Sequence, residues 1–198
     1  MVLRLNIVIG STRPGRAGPA IAHWLRDVAE AHGGFEVELV DLAEVGLPLL
    51  DEAAHPRLQQ YEHDHTKRWS QSVASADAFL FVTPEYDYFP PASLVNAVQV
   101  LSKEWARKPA GVVSYGGVSG GLRAAQVLRQ LLSNVNMHAL PQTVPVPFFS
   151  QHIQEGAFRP GDQVTAGTQG LLDEILKWAT ALKALRTEEA RAAQDKAA

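Results

Sequence analysis

The chain alternates between short apolar runs, which are typical of buried strands, and longer segments whose apolar residues recur every three or four positions, as on one face of a helix. Five apolar runs predict strands at residues 3–9, 35–42, 78–82, 110–115 and 143–149. The last run contains Pro145 and Pro147, which lack a backbone N–H, so we expect it at an edge of the sheet. Strands that alternate with helices in this way predict an α/β fold with a parallel sheet.

Helical spacing between these runs predicts five helices. Their predicted core stripes begin at Ile21, Leu58, Leu94, Leu122 and Leu171, and the second and third stripes extend to Val73 and Trp105. With right-handed crossovers, these elements predict a doubly wound parallel sheet with helices on both faces, and they leave the strand order open. We expect a flavodoxin-like three-layer sandwich with a five-stranded parallel sheet in the order 2-1-3-4-5, in which the ligand site lies between the first and third strands. We expect residues 1–186 to form a single flavodoxin-like domain and the alanine-rich, charged segment 187–198 to fray.

The composition narrows the classes of function. The chain has 198 residues, a formal net charge of -3 and no cysteine. The lack of cysteine excludes disulfides, thiol catalysis and cysteine-ligated metals, so redox chemistry requires a bound cofactor. The mild acidity argues against nucleic acid as a partner, since that partner normally needs a basic face. The apolar run 2–9 is interrupted by Arg4 and Asn6 and is shorter than the roughly 20 residues that span a bilayer, so we expect a cytoplasmic protein without a membrane segment.

The loop between the first strand and the first helix has the composition of a phosphate site. Residues 10–19 include Ser11, Thr12, Arg13 and Arg16 just before a helix start, where unpaired N–H groups favour an anion. Hydroxyl and guanidinium donors strengthen such a site. An ordinary turn with solvated arginines is the alternative. The loop has neither the Gly-Lys-Ser/Thr of a Walker loop nor a G-x-G-x-x-G motif, so a dinucleotide laid across the first helix is disfavoured.

Two further loops follow the third and fourth strands, and the predicted strand order brings them to the edge where open α/β sheets bind ligands. Residues 83–91 contain three aromatic side chains and three prolines, which predicts a stiff loop able to hold a planar ring. Residues 114–121 contain four glycines, so their backbone can approach a ligand closely. The alternatives are a loop packed against a neighbouring subunit and a flexible glycine turn.

No catalytic residue and no metal ligand is predicted. His63 and His65 are two positions apart and do not share a helix face, so we interpret them as part of a solvated surface. Ser114 lacks a G-x-S-x-G elbow, which argues against a nucleophilic hydrolase.

Four parts of the sequence carry a family resemblance: residues 10–18, residues 82–86, the helix residues Leu94, Asn96 and Ala97, and residues 114–121. They resemble the NADPH-dependent FMN reductase family of flavodoxin-like flavoproteins, which includes quinone, chromate and azo reductases, and the resemblance covers roughly residues 3–148. It implies that FMN is bound by Ser11, Arg13, Arg16 and Gly18 around the phosphate, by Pro84, Glu85, Tyr86 and Asp87 on the second loop, and by Ser114, Tyr115, Gly116 and Gly117 beside the ring. Asp87 stands where the family usually has asparagine, so a side-chain donor is lost there unless Asp87 is protonated.

The resemblance implies an FMN-dependent NAD(P)H oxidoreductase that passes hydride from NADPH or NADH through bound FMN to a small acceptor, such as a quinone, free flavin, azo compound or metal ion. It also implies a homodimer or homotetramer, and the crowding of Tyr86, Tyr88 and Phe89 on one loop suggests an interface near the flavin. A flavodoxin-type electron carrier without turnover of its own is the main alternative, and a nucleotide- or phosphate-sensing module without redox activity is the other. The two arginines of the first loop and the mild net charge argue against the carrier.

Overall fold

In this computed structural model, which describes residues 2–197, a parallel sheet of five strands lies at the centre of the protein. Its strands are β1 (Leu3–Ile9), β2 (Phe35–Asp41), β3 (Ala78–Pro84), β4 (Pro109–Tyr115) and β5 (His138–Val146). They run in the order β2-β1-β3-β4-β5. Every residue of β3 and β4 is buried, as expected of central parallel strands that are covered on both faces. The predicted strand order and the edge position of the last strand are therefore confirmed.

The described part of the chain also contains the helices α1 (Gly18–His32), α2 (Leu42–Val45), α3 (Asp64–Ser75), α4 (Ala92–Gln99), α5 (Leu122–Asn134) and α6 (Asp162–Ala197). Helices α1 and α6 pack against one face of the sheet, through residues such as Ile21 and Leu171. Helices α3, α4 and α5 cover the other face, through Trp69, Leu94 and Leu128. Each of these helices buries one apolar stripe, which confirms the three-layer flavodoxin-like sandwich.

The helix predicted over residues 58–73 begins later than expected. One 3-10 turn forms at Pro56–Leu58, and Gln59 then adopts a left-handed φ of 55°, which interrupts the helical backbone. Leu58 is consequently exposed and lies outside the core. Helix α3 starts at Asp64 and buries Trp69 at the middle of the predicted stripe.

The prediction of one helix from Leu94 to Trp105 is also wrong. Helix α4 ends at Gln99, and a separate 3-10 turn, Lys103–Trp105, follows it. Trp105 is nevertheless fully buried, because its Nε1–H donates to the carbonyl oxygen of Val98 at 3.1 Å and its ring packs edge-on against Phe79. Trp105 therefore belongs to the core, as its spacing indicates, although the helix has already ended.

The last third of the chain contains elements that the hydrophobic pattern missed. Strand β5 begins at His138, earlier than the predicted residue 143, and ends at Val146. Residues 147 and 148, predicted as strand, form a turn, and a 3-10 turn, Phe149–His152, follows. A short antiparallel pair follows, β6 (Ile153–Gln154) with β7 (Ala157–Phe158). Helix α6 includes residues 187–197, and residue 198 of the predicted fraying tail lies outside the described residues. Both the single domain and the fraying of residues 187–198 stay predictions. No helix within residues 2–197 is long and apolar enough to cross a membrane.

Candidate functional site

The loops that follow β1, β3 and β4 meet at one edge of the sheet, which we call the carboxyl edge. The three strands are neighbours and in register, so that Ile9 pairs with Val82 and Pro84 pairs with Tyr115. Beyond the end of β1, the N–H of Gly10 donates to the carbonyl oxygen of Val82 at 2.9 Å, which holds the first loop against β3. The structure thus brings together the three loops that were selected from the sequence.

Helix α1 begins at this edge without a side-chain cap of its own. Its N-cap residue, Ala17, offers no side-chain acceptor, and Pro19 in the first turn has no N–H. The first turn of a helix carries unsatisfied N–H groups and a partial positive charge. The start of α1 therefore favours an anion on the first loop.

The two arginines of the first loop are held differently. Arg13 is exposed, with its guanidinium carbon 5.8 Å from the centre of the Tyr86 ring. Arg16 is mostly buried, and its Nη2 donates to the carboxylate of Asp41 at 2.5 Å. The Nε–H of Arg16 is buried and has no hydrogen-bond partner within residues 2–197. Arg13 can therefore turn toward a ligand, whereas Arg16 is fixed in place with one donor left over.

Sequence reasoning missed Asp41, although a signal for it existed. Asp41 is the last residue of β2, and β2 is the neighbour of β1 in the sheet. One of its carboxylate oxygens accepts from the N–H of Ala43 at 2.9 Å and caps α2, while the other accepts from Arg16. An acidic residue at the carboxyl end of the strand beside an arginine-bearing loop could have indicated this pairing.

Ser11, Gly18 and Tyr115 pack so closely that only glycine fits at position 18. A Cβ there would lie 2.7 Å from Ser11 Oγ and 3.1 Å from the Tyr115 hydroxyl oxygen. Ser11 is fully buried, and its Oγ is 3.2 Å from the same hydroxyl. Burial raises the pKa of Tyr115 to about 12, so the hydroxyl is protonated at neutral pH. The family resemblance places Tyr115 beside the flavin ring, and the structure shows that its hydroxyl reaches the first loop.

The loop after β3 folds into a tight hairpin. Tyr86 and Phe89 exchange two backbone hydrogen bonds, each 2.9 Å long. Between them, Asp87 and Tyr88 have φ values of 49° and 76°, which is the left-handed pair of a primed two-residue turn. Asparagine and aspartate both adopt this conformation more readily than other residues with a side chain. The turn therefore accommodates Asp87 where the family usually has asparagine.

Glu85 is engaged by protein donors on the loop after β4. Its carboxylate is only 6% exposed and accepts from Ser119 Oγ at 3.1 Å, from the N–H of Arg123 at 3.1 Å and from Arg123 Nε at 2.6 Å. Burial acts to raise the pKa of Glu85, but these donors lower it below its usual value. Arg123 also lies over the Tyr88 ring, 3.8 Å from its centre. The side chain of Glu85 thus joins two loops, and the pairing with Arg123 was missed because 38 residues separate the partners.

Ser114 fixes the glycine-rich loop after β4 through a hydrogen bond. This buried hydroxyl donates to the carbonyl oxygen of Gly120 at 2.9 Å. Gly121 has a φ of 79°, and a Cβ there would lie 2.7 Å from the backbone nitrogen of Tyr115. Gly117, by contrast, has open space where its Cβ would be. Ser114 and Gly121 therefore shape the loop, while Gly117 leaves its backbone accessible.

These features fit a phosphorylated flavin. The phosphate end would meet the uncapped start of α1, the free Arg13 side chain and the unpaired Nε–H of Arg16. The ring end would meet the hairpin at Tyr86 and the open backbone at Gly117. A cationic, hydrogen-bonding end beside a flat, open end matches the two chemically different halves of FMN.

The histidine pair at the start of α3 makes its own contacts. The rings of His63 and His65 stack with 5.1 Å between their centres, and His65 Nε2 is 3.1 Å from the carboxylate of Asp51. Within residues 2–197, no group of three or more histidine, cysteine, aspartate or glutamate side chains is arranged to hold a metal ion.

Comparison with known proteins gives concordant results. Residues 3–151 match the family model "NADPH-dependent FMN reductase". The chain is 35% identical to an NAD(P)H-dependent FMN reductase of Schizosaccharomyces pombe over 164 residues, which are 82% of each chain. It is 27% identical to a quinone reductase of Pseudomonas putida over 183 residues, which are 89% of this chain and 95% of that protein.

Among solved structures, the fold is similar to that of FerB, a flavoenzyme NAD(P)H:(acceptor) oxidoreductase from Paracoccus denitrificans. The TM-score is 0.70 at 22% identity, and the alignment covers 91% of this chain and 98% of FerB. At that identity the likeness establishes the fold, while the match over residues 3–151 establishes the family. The chain belongs to the NADPH-dependent FMN reductase family.

Proposed function

We propose that the protein is an FMN-dependent NAD(P)H oxidoreductase that reduces small acceptors such as quinones. The observation that carries this proposal is the meeting, at the carboxyl edge, of a cationic uncapped helix start with a stiff aromatic hairpin and an open glycine backbone. Bound FMN would supply the redox chemistry that carries reducing equivalents from the nicotinamide to the acceptor. With a quinone, NAD(P)H and one proton are consumed, and NAD(P)⁺ and a hydroquinone are formed.

The residues of this chain contribute binding and positioning. Arg13, Arg16 and the start of α1 are proposed to hold the phosphate through charge-assisted hydrogen bonds. The backbone of residues 84–87 and of Gly116 and Gly117 is proposed to hold the ring. Glu85 keeps the two ring-binding loops at a constant separation through its bonds to Ser119 and Arg123. We propose no acid or base residue, because hydride transfer to and from FMN does not require one from the protein.

The proposal of a reductase with turnover is better supported than that of an electron carrier. The S. pombe and P. putida relatives are both named as reductases. The first loop carries two arginines, and the net charge of -3 is far from the strongly acidic surface that carriers use for docking. The quinone reductase of P. putida also supports a small molecule as the acceptor.

We further propose a homodimer or homotetramer in which a second copy covers the hairpin after β3. Tyr88 and Phe89 are 59% and 58% exposed, and exposed aromatic clusters of this kind mark interfaces. Phe89→Glu should then dissociate subunits and lower FMN occupancy together, which light scattering and flavin absorbance would measure. A cytoplasmic location is proposed as well, since reduced nicotinamide nucleotides are maintained there.

An anaerobic titration tests the central proposal. Purified protein loaded with FMN should lose its flavin absorbance on addition of NADPH or NADH and regain it when 1,4-benzoquinone is added. A protein that binds no FMN would contradict the proposal and favour a nucleotide- or phosphate-sensing module. A protein that binds FMN but is not bleached by either nucleotide would be a carrier reduced by a protein partner.

A further inference from the structure

Phe148 combines strained backbone with an exposed ring beside the candidate site. Its φ of 47° and ψ of 44° are left-handed, a conformation that bulky residues rarely adopt. Its side chain is nevertheless 49% exposed, so the strain is not offset by burial of the ring. A glycine would fit this backbone without strain. The presence of phenylalanine therefore calls for a role of the ring itself.

The backbone around Phe148 is tied to the glycine-rich loop. The N–H of Phe148 donates to the carbonyl oxygen of Gly117 at 3.0 Å, and the N–H of Phe149 donates to that of Gly116 at 3.4 Å. Phe149 turns inward and packs edge-on against Tyr115, with 5.1 Å between the ring centres. The inward neighbour anchors the segment, so Phe148 is presented at a constant position next to Gly117.

Tyr88, on the hairpin after β3, provides a comparison with Phe148. It is also aromatic, exposed and left-handed, with a φ of 76°. Its ring already packs against the guanidinium of Arg123 at 3.8 Å. Within residues 2–197, Phe148 has no such aromatic or cationic partner. Phe89 is also exposed without such a partner, but it lies on the hairpin that a second copy is proposed to cover, so Phe148 is the exposed ring left free beside Gly117.

We propose that Phe148 is a specificity-determining residue that recognises the planar electron acceptor by stacking or edge-on contact with its ring. This inference rests on the proposed function, because it assumes that the flavin ring borders Gly116 and Gly117. Aromatic contacts favour flat, conjugated molecules such as quinones and give nothing to a compact, non-planar oxidant. Phe148 thus contributes to acceptor choice without contributing to FMN binding.

The test compares two acceptors in three variants. Phe148→Gly should raise the KM for 1,4-naphthoquinone about 3- to 10-fold, since aromatic contacts of this kind change affinity by about that factor. The rate with ferricyanide and the Kd for FMN should stay within about twofold of wild type. Phe148→Leu should raise the quinone KM to the same extent, whereas Phe148→Tyr should preserve it.

Backbone strain is controlled separately. Phe148→Gly should not lower the Tm, because it relieves the left-handed strain. Glu155→Gly is the matched control, since Glu155 is exposed in the turn between β6 and β7 with a φ of 49°. It should relieve similar strain and leave the quinone KM unchanged.

Several results would overturn the assignment. These are an unchanged quinone KM in Phe148→Gly, an equal change for quinone and ferricyanide, a loss of FMN affinity that matches the loss of activity, or a changed oligomeric state that assigns the ring to a subunit contact. Wild-type protein that binds no FMN would overturn the proposed function together with this inference. FMN-loaded, NAD(P)H-reducible wild type with an unaffected Phe148→Gly variant would overturn only the inference.

Discussion

The two ends of the strands differ in whether their charged side chains have partners within the protein. At the carboxyl edge, Arg13 is exposed and the buried Nε–H of Arg16 has no partner within the described residues. At the opposite end, which we call the amino edge, Asp77 precedes β3 and is 9% exposed. It accepts from the N–H of Arg4 at 3.1 Å, from Lys183 Nζ at 2.6 Å and from Arg186 Nη2 at 2.9 Å.

The difference separates residues that bind a ligand from residues that hold the fold. Asp77 at the amino edge is saturated, because α6 supplies two cations to its carboxylate. The carboxyl edge keeps free donors, open backbone and exposed rings, as ligand-binding edges of open α/β sheets do. Substitutions at the amino edge should therefore change stability alone, and substitutions of the free donors at the carboxyl edge should change binding alone.

The largest effect is expected from Asp77→Ala at the amino edge. Loss of this carboxylate leaves Lys183 and Arg186 without their shared acceptor and removes the ion pairs between α6 and the residue before β3, which should lower the free energy of unfolding by about 2–3 kcal/mol. Thermal and urea unfolding of the FMN-free protein would measure the loss. The Kd for FMN should stay within about twofold, since the site lies at the other end of the strands. The control is Asp27→Ala on α1, whose side chain is 66% exposed.

The next effect is expected from Arg13→Ala at the carboxyl edge. Removal of a charge-assisted contact to the phosphate should weaken FMN binding roughly ten- to hundredfold, and adding Arg16→Ala should weaken it further. The Tm of the FMN-free Arg13→Ala protein should not change, because Arg13 has no ion pair to lose within residues 2–197. Arg68→Ala on α3 is the matched control, since Arg68 is likewise exposed and has no ion pair within residues 2–197. Unchanged fluorescence titrations of the double variant would refute the phosphate assignment.

Glu85→Gln sharpens the comparison, because Glu85 lies at the carboxyl edge and is saturated like Asp77. Loss of its charge weakens the bonds to Ser119 and Arg123, so both the Tm and FMN affinity should fall, the free energy of unfolding by about 1–2 kcal/mol. The folded-state pKa of Glu85 is lowered, so its contribution is present above the usual pKa of 4.5 and is lost as the pH falls below it. The difference in the free energy of unfolding between Glu85→Gln and wild type should therefore shrink in acid. The exposed control Glu62→Gln should leave both the free energy of unfolding and FMN affinity unchanged.

The smallest effect concerns Lys108, which precedes β4 at the amino edge. Its Nζ donates to the carbonyl oxygens of Val73 and Ala74, at 2.6 Å and 3.0 Å. Burial, helped by the nearby Arg186 and opposed by Asp77, lowers the pKa of Lys108 from 10.5 to about 7. The unfolded chain therefore binds the proton more tightly, and wild type should gain stability between about pH 7 and pH 10.

Lys108→Met removes that dependence. The stability of wild type relative to Lys108→Met should rise by about 1 kcal/mol or more across this range, since one pKa unit corresponds to about 1.36 kcal/mol. Denaturant titrations at pH 7 and pH 9.5 would measure it. If the difference in the free energy of unfolding between wild type and Lys108→Met is the same at both pH values, the lysine keeps its charge. A changed FMN affinity in Lys108→Met would contradict the division of roles between the two edges.

The sheet and its loops could be predicted because they depend on local signals. Apolar runs such as residues 78–82 indicate buried strands, and the glycines and prolines around them mark where each strand ends. Helix ends were less predictable, since Gln59 interrupts the predicted second helix through a left-handed backbone that its residue type does not indicate. Trp105 has helical spacing with Leu94 but reaches the core after the helix has ended.

The sequence does not show which of the predicted site residues contact a ligand and which pair with other residues of the protein. Sequence alone groups Glu85 with the ligand contacts, and its pairing with Arg123 depends on the three-dimensional meeting of two loops. The same is true of Arg16 with Asp41 and of Ser11 with Tyr115. Composition can select a segment that faces a ligand, but the partner of each polar side chain is decided by packing over long sequence separations.

The uncapped start of α1 links the persistence of the protein to the supply of its proposed cofactor. A ligand that binds only the folded chain adds about 2.7 kcal/mol of stability when its free concentration is a hundred times its Kd. A cell short of FMN would hold more of the protein in opened forms, which proteases recognise. The amount of enzyme would then follow flavin availability through degradation, without any dedicated regulatory site.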